Sequence, residues 1–170
     1  MPNATYCLNG HYVGVVNPIL RARSAGQLRA MMERASQHEG QKGLPAFCTR
    51  CGTPNISACQ YCQATIELRH VGSRPGYCGG CGKAFPWTET ALSAAKEYTD
   101  ELEALSDDEK ATLKATFPDL CRETSKTELA VSRFSKLLHK VGPAAGDALL
   151  KIVVTFTTET AKNLIDRWHW

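Results

Sequence analysis

Three C-x-x-C pairs, Cys48/Cys51, Cys59/Cys62 and Cys78/Cys81, are crowded into 34 residues, and Cys7 with His11 makes a fourth two-ligand unit upstream. Four pairs supply eight donors, which is what two tetrahedral zinc ions take when each binds four sulfur or nitrogen atoms and keeps no open position. Cysteines two residues apart are too close for structural disulfides and well placed for metal in a reducing compartment. The spacing therefore predicts Zn²⁺, two per chain, with Cys7, His11, Cys48, Cys51, Cys59, Cys62, Cys78 and Cys81 as ligands.

Two of the pairs read C-x-x-C-G, ending in Gly52 and Gly82. A glycine after the second cysteine takes positive φ without steric cost, so the turn curls and aims backbone N–H groups at the metal-bound sulfurs. Cys59-Gln60-Tyr61-Cys62 has Gln63 at that place, and Cys7-Leu8-Asn9-Gly10-His11 carries its glycine between the ligands. Cys59 to Cys81 reads C-x2-C-x15-C-x2-C, the spacing of a single ribbon, with a predicted strand over Thr65–Val71. This spacing assigns those four cysteines to one centre and leaves Cys7, His11, Cys48 and Cys51 for a Cys₃His centre. Two other pairings of the same ligands stay open, one crossed and one nested around the seven-residue gap from Cys51 to Cys59.

Between His11 and Cys48 runs a connection of 36 residues. Ser24 followed by Gln27, then Leu28, Met31, Met32 and Ala35 at helical spacing, predicts a short helical insertion near 24–38. Arg21, Arg23, Arg29 and Arg34 surround it, and a solvated helix face accounts for them better than a phosphate-binding element because no basic run is continuous.

The order of Cys7–His11, Phe47–Gly52, Cys59–Cys62 and Tyr77–Gly82, followed by Pro86-Trp87-Thr88-Glu89, resembles an uncharacterised family of bacterial tandem zinc-ribbon proteins with a helical C-terminal region. The resemblance implies a bacterial origin and an architecture rather than a reaction.

Beyond Trp87 the cysteine and glycine density collapses, which predicts a tandem zinc-ribbon region over 1–87 and a helical domain over 88–170. The fold class is thus a small zinc-stabilised β half joined to an all-α half of about four helices. Thr88 is a good N-cap, Ser106 with Glu109 and Ser125 with Glu128 are capping boxes, and Gly142-Pro143 stops the third helix. Pro118 predicts that the second helix ends near Thr116. A fourth helix over Ala144–Trp168 is expected from the stripe Ala145, Leu149, Ile152, Phe156, Ala161, Leu164, Ile165 and Trp168, although Ile152–Thr158 favours strand. Trp168 continues that stripe, whereas Trp170 lies off it and suits a partner or self-contact.

Composition narrows the function. An apolar content of 43% and a charged content of 22% are those of a globular protein, and neither a signal peptide nor a membrane span is legible, so a cytoplasmic protein is expected. Residues 1–87 hold 9 Lys and Arg against 3 Asp and Glu, but loading two zinc ions on seven thiolates reduces the net charge of this half to about +3. No catalytic residue is identified. Cys121 belongs to no C-x-x-C pair and lies near Asp119 and Glu123, which disfavour a thiolate. The leading expectation is a non-enzymatic adaptor that uses the ribbons as a rigid surface for a protein partner or for self-association. The alternative is a nucleic-acid-binding regulator using Arg21, Arg23, Arg29, Arg34 and Arg50, with Arg69 and Arg74 also on hand; low charge after metal loading counts against it.

Overall fold

The computed structural model describes residues 3–16, 44–67 and 74–168. The chain divides into two compact units, Met1–Pro86 and Trp87–Trp170. The insertion expected near 24–38 with its arginines, Arg69, the end of the strand expected over Thr65–Val71, Trp170 and the side chain of Trp168 lie outside the described residues.

The first unit is built on a three-stranded antiparallel sheet in the order β2-β1-β3. β1 (Asn3–Cys7) and β2 (Tyr12–Val16) form a hairpin whose turn is the Asn9-Gly10 dipeptide, with Gly10 at φ 77°. Only glycine enters that region without steric penalty, and the turn closes through the Gly10 N–H to the Cys7 carbonyl at 2.7 Å. The register pairs Asn3 with Val16 and slips between Thr5 and Tyr6, the irregularity of a bulge. β3 (Asn55–Ile56) adds to the other edge of β1, setting Cys7 opposite Asn55 and Tyr6 opposite Ile56. Ala4 and Tyr6 alternate with Thr5 along β1, and all three are buried. Of the strand expected from Thr65, the described part makes isolated bridges only, Ala58 to Thr65 and Asn3 to Glu67.

The second unit holds five helices: α1 (Pro86–Asp100), α2 (Asp107–Leu120), α3 (Thr127–Lys140), α4 (Pro143–Val153) and α5 (Glu159–Trp168). α3 is the central element, packing against α2, α4 and α5. Leu113, Phe117 and Leu120 of α2, Val131 and Phe134 of α3, Leu149 and Val153 of α4 and Ile165 of α5 are fully buried. A ring edge of this core is Phe117 against Phe156, with centroids 6.2 Å apart and planes at 72°. Among the described residues, no helix is long and apolar enough to cross a membrane.

Four sequence expectations change here. α1 opens at Pro86, so Thr88 sits inside its first turn rather than at the cap, and the helix stops at Asp100, leaving Leu102 and Leu105 buried in the following turn. α2 runs through Pro118 to Leu120, because burying Phe117 and Leu120 outweighs one missing N–H in the last turn. α3 starts at Thr127 without the Ser125 box; the Thr127 hydroxyl instead accepts from the Thr124 N–H at 3.0 Å and donates to the Arg122 carbonyl at 2.8 Å. The single fourth helix is two helices, α4 and α5. Thr155 turns its hydroxyl onto the Ile152 carbonyl at 2.7 Å, Thr158 donates its N–H to Leu120 at 3.1 Å, and its hydroxyl accepts from the Ala161 N–H at 3.2 Å. Threonines that satisfy backbone groups locally break the helix and start the next.

Candidate metal centres

Each C-x-x-C unit folds the same way, and the repetition is readable atom by atom. The N–H of the first cysteine donates to the carbonyl five residues on: Cys48 to Thr53, Cys59 to Ala64 and Cys78 to Lys83, each at 2.8 Å. The N–H four residues on returns to the first cysteine's carbonyl, from Gly52 at 2.8 Å, Gln63 at 2.9 Å and Gly82 at 2.9 Å. Bridges Phe47–Pro54, Ala58–Thr65 and Tyr77–Ala84 close the three turns at equal spacing.

The closing residue must be left-handed. Gly52 has φ 70° and Gly82 φ 71°, and Gln63 takes φ 60°, the one positive φ outside glycine among the described residues. The middle knuckle thus has the fold of its neighbours without their glycine. Gly80 answers a different need, since a Cβ there would lie 3.0 Å from the Ala64 Cβ and 3.4 Å from the Cys62 Sγ across the facing knuckle.

The turns bring the eight donors into two sets. Cys7, His11, Cys48 and Cys51 form one and Cys59, Cys62, Cys78 and Cys81 the other, with every ligand atom in a set within 4.8 Å of the rest. This is the sequential grouping, not the crossed or nested one. In the first set the Cys7 and Cys51 sulfurs are 3.7 Å apart, and the Cys48 sulfur is 3.7 Å from His11 Nδ1. In the second, Cys59 to Cys81 is 3.7 Å and Cys62 to Cys78 is 3.6 Å. Both centres share one pattern, in which the first ligand of each pair meets the second ligand of the other.

These lengths test the fit to metal. A tetrahedron with metal–sulfur bonds of about 2.3 Å has edges of about 3.8 Å, far longer than a disulfide. The donor sets therefore have the size as well as the chemistry of four-coordinate sites, and two groups of four ligands can hold two metal ions.

Local hydrogen bonds prepare the sulfurs for negative charge. The N–H groups of His11, Arg50 and Gly80 donate to the sulfurs of Cys7, Cys48 and Cys78 at 3.3, 3.4 and 3.3 Å. The Thr53 hydroxyl, 3.2 Å from the Cys51 sulfur, together with the Thr53 amide, holds that thiol down to about 5. The Tyr61 and Cys62 amides lower Cys59 to about 7. Cys62 goes the other way: the Ala64 amide lowers it, but the Cys81 sulfur, burial and the remaining two sulfurs outweigh that and push it up to about 12. Four crowded sulfurs resist shedding all their protons unless a cation shares the space, and a divalent ion meets that need.

Of the other residues singled out in the sequence, Arg50 lies on the first knuckle and Arg74 reaches a distant turn of the same unit. It is half-buried, and its Nη1 donates to the Asn9 carbonyl at 3.3 Å in the turn between Cys7 and His11. No local signal marks this role, because 65 residues separate Arg74 from Asn9. Cys121 is buried in the helical unit, with its thiol donating to the Phe117 carbonyl at 3.1 Å.

No curated protein and no solved structure matches the chain. A family model described as "Uncharacterized protein conserved in bacteria (DUF2321)" matches residues 2–165, and the chain belongs to that family.

Proposed function

We propose that the chain is a zinc-binding, non-enzymatic interaction protein whose tandem zinc ribbons present a rigid surface to a protein partner. The observation that carries this reading is the closure of both donor sets: four ligands at tetrahedral spacing saturate a zinc ion and leave it no position for water or substrate. Thiolate-rich sets with one imidazole select zinc over magnesium, calcium or manganese. Among the described residues, the same unit exposes several large apolar side chains. Phe47 is 60% exposed and Tyr61 53%, both on knuckles, and Tyr12, Val15 and Leu44 are exposed as well. Aromatic side chains held on a metal-stiffened turn give contact area with little entropy to lose.

Nucleic-acid binding has less support. Arg74 is directed into the Cys7–His11 turn, and the Tyr61 ring already carries the Lys83 ammonium 4.0 Å from its centroid. The test compares the wild type with a Phe47→Ala/Tyr61→Ala double variant in cross-linking capture from bacterial extract and in light scattering. It is paired with fluorescence anisotropy on random DNA and RNA at two salt concentrations. The reading expects capture or self-association that the double variant loses while keeping both zinc ions, and no salt-dependent anisotropy. Equal behaviour of the two proteins, or salt-dependent binding to nucleic acid, would replace it.

A further inference from the structure

The connection between Cys62 and Cys78 belongs to the four-cysteine centre by sequence, yet it is attached to the other centre. The Ala4 N–H of β1 donates to the Ile66 carbonyl at 2.7 Å, and Asn3 bridges to Glu67. Ile66 is fully buried and is itself anchored by its N–H to the Ser57 carbonyl at 2.9 Å. Further along the same connection, Arg74 reaches the Asn9 carbonyl, in the turn that spaces Cys7 from His11.

Charge gives this contact a purpose. Three thiolates and a neutral imidazole around a divalent ion leave a net charge of about −1, and a single guanidinium balances it. A guanidinium keeps its proton even when half-buried and so stays a fixed positive charge beside the ligand-bearing turn.

We propose that Arg74 is a positioning residue of the Cys7–His11–Cys48–Cys51 centre: its guanidinium clamps the ligand-bearing turn through the Asn9 carbonyl and offsets the charge of the loaded site. Metal retention at one centre then depends on a residue from the connection within the other. This inference rests on the metal-binding reading above.

The test is chelator competition on the cadmium-loaded full chain, followed by cadmium NMR, whose chemical shift separates a Cys₃His from a Cys₄ environment. Wild type, Arg74→Lys and Arg74→Gln are compared. Outer groups that orient metal ligands are worth about 10- to 100-fold in affinity, so Arg74→Gln is expected to weaken the Cys₃His site by that factor and leave the Cys₄ site unchanged. Arg74→Lys keeps the charge but loses the planar fork, and falls between. Unchanged retention in Arg74→Gln, equal weakening of both sites, or a lysine variant as weak as the glutamine variant would each overturn the proposal. Absence of both resonances in the wild type would instead overturn metal binding itself.

Discussion

Gln63 carries the steric load that glycine relieves in the other two knuckles. Its left-handed backbone at φ 60° costs a residue with a Cβ about 1–2 kcal/mol. Gln63→Gly removes that strain but also gives the unfolded chain more freedom, so a net gain of about 0.5–1 kcal/mol is expected. Gly52→Ala and Gly82→Ala run in reverse; their Cβ atoms would meet nothing within 4 Å, so the loss comes from φ alone. The guanidinium concentration at which the loaded protein releases zinc measures all three, and a lower midpoint for Gln63→Gly would refute the strain argument. Gly80 tests packing instead. Gly80→Val drives carbon into the Ala64 Cβ and toward the Cys62 sulfur, so it is expected to weaken zinc at the four-cysteine centre and spare the other. Elemental analysis after mild chelator treatment gives the count, and two ions retained would contradict the close approach.

At the scale of elements, α2 is fastened at its start. Ser106 accepts from the Glu109 N–H at 3.4 Å while Glu109 accepts from the Ser106 N–H at 3.0 Å, a complete capping box. Ser106→Ala is expected to cost about 1 kcal/mol in thermal unfolding of the helical unit, and no change would show that the cap is idle. Glu109 also receives the Lys140 ammonium from the end of α3 at 2.5 Å. Lys140 chiefly, helped by the Ser106 amide, lowers the Glu109 pKa. A depressed carboxylate pKa stabilises the fold above the unfolded value of about 4.3, and the contribution fades as pH falls through the folded value. Glu109→Gln should therefore lower the melting temperature at neutral pH and converge with the wild type in acid; a constant gap across that range would assign the loss to packing. The glycine pair at the next turn divides its labour. Gly142, at φ 84°, ends one helix and opens the next, whereas Gly146 lets α4 approach the Leu138 carbonyl, 3.4 Å from where its Cβ would be.

At the scale of the molecule, the two units rest on different physics, two four-donor Cys/His groups on crowded turns in Met1–Pro86 and an apolar helical core in Trp87–Trp170. Elemental analysis of protein purified without added metal is expected to find two zinc ions per chain; one ion, or iron, would refute the assignment. Cys78→Ser/Cys81→Ser is expected to lose one ion and to hold the other less tightly, since Ile66 and Glu67, which bind β1, lie in the connection that this centre closes. Helical circular dichroism should persist in that variant, and its collapse would show that the helical core does not stand alone. The residues that the fold gathers into two groups of four were legible because a C-x-x-C pair places its sulfurs locally: three residues of spacing dictate the turn, whatever the rest of the chain does. The Ser106 box was legible for the same reason, its partners being three residues apart. The sharing of the pairs was legible as a preference, from the ribbon spacing of Cys59 to Cys81, with two alternatives left open because all three groupings satisfy the same local turns. The pairing of β1 with β3 and the anchoring of Ile66 on Ala4 select one of them. The contact of Arg74 with Asn9 was not legible either, since only the folded connection brings the two together. Pro118 and the break after Val153 likewise turned on tertiary gains, buried Phe117 and Leu120 in one case and the Thr158 bond to Leu120 in the other. Sequence by itself picked out the seven cysteines and one histidine that the fold gathers into two groups, and the positive-φ turns at Gly52 and Gly82. Tertiary structure decided between the three groupings of those donors and which helices continue, because those outcomes depend on free energy gained between residues far apart in the chain.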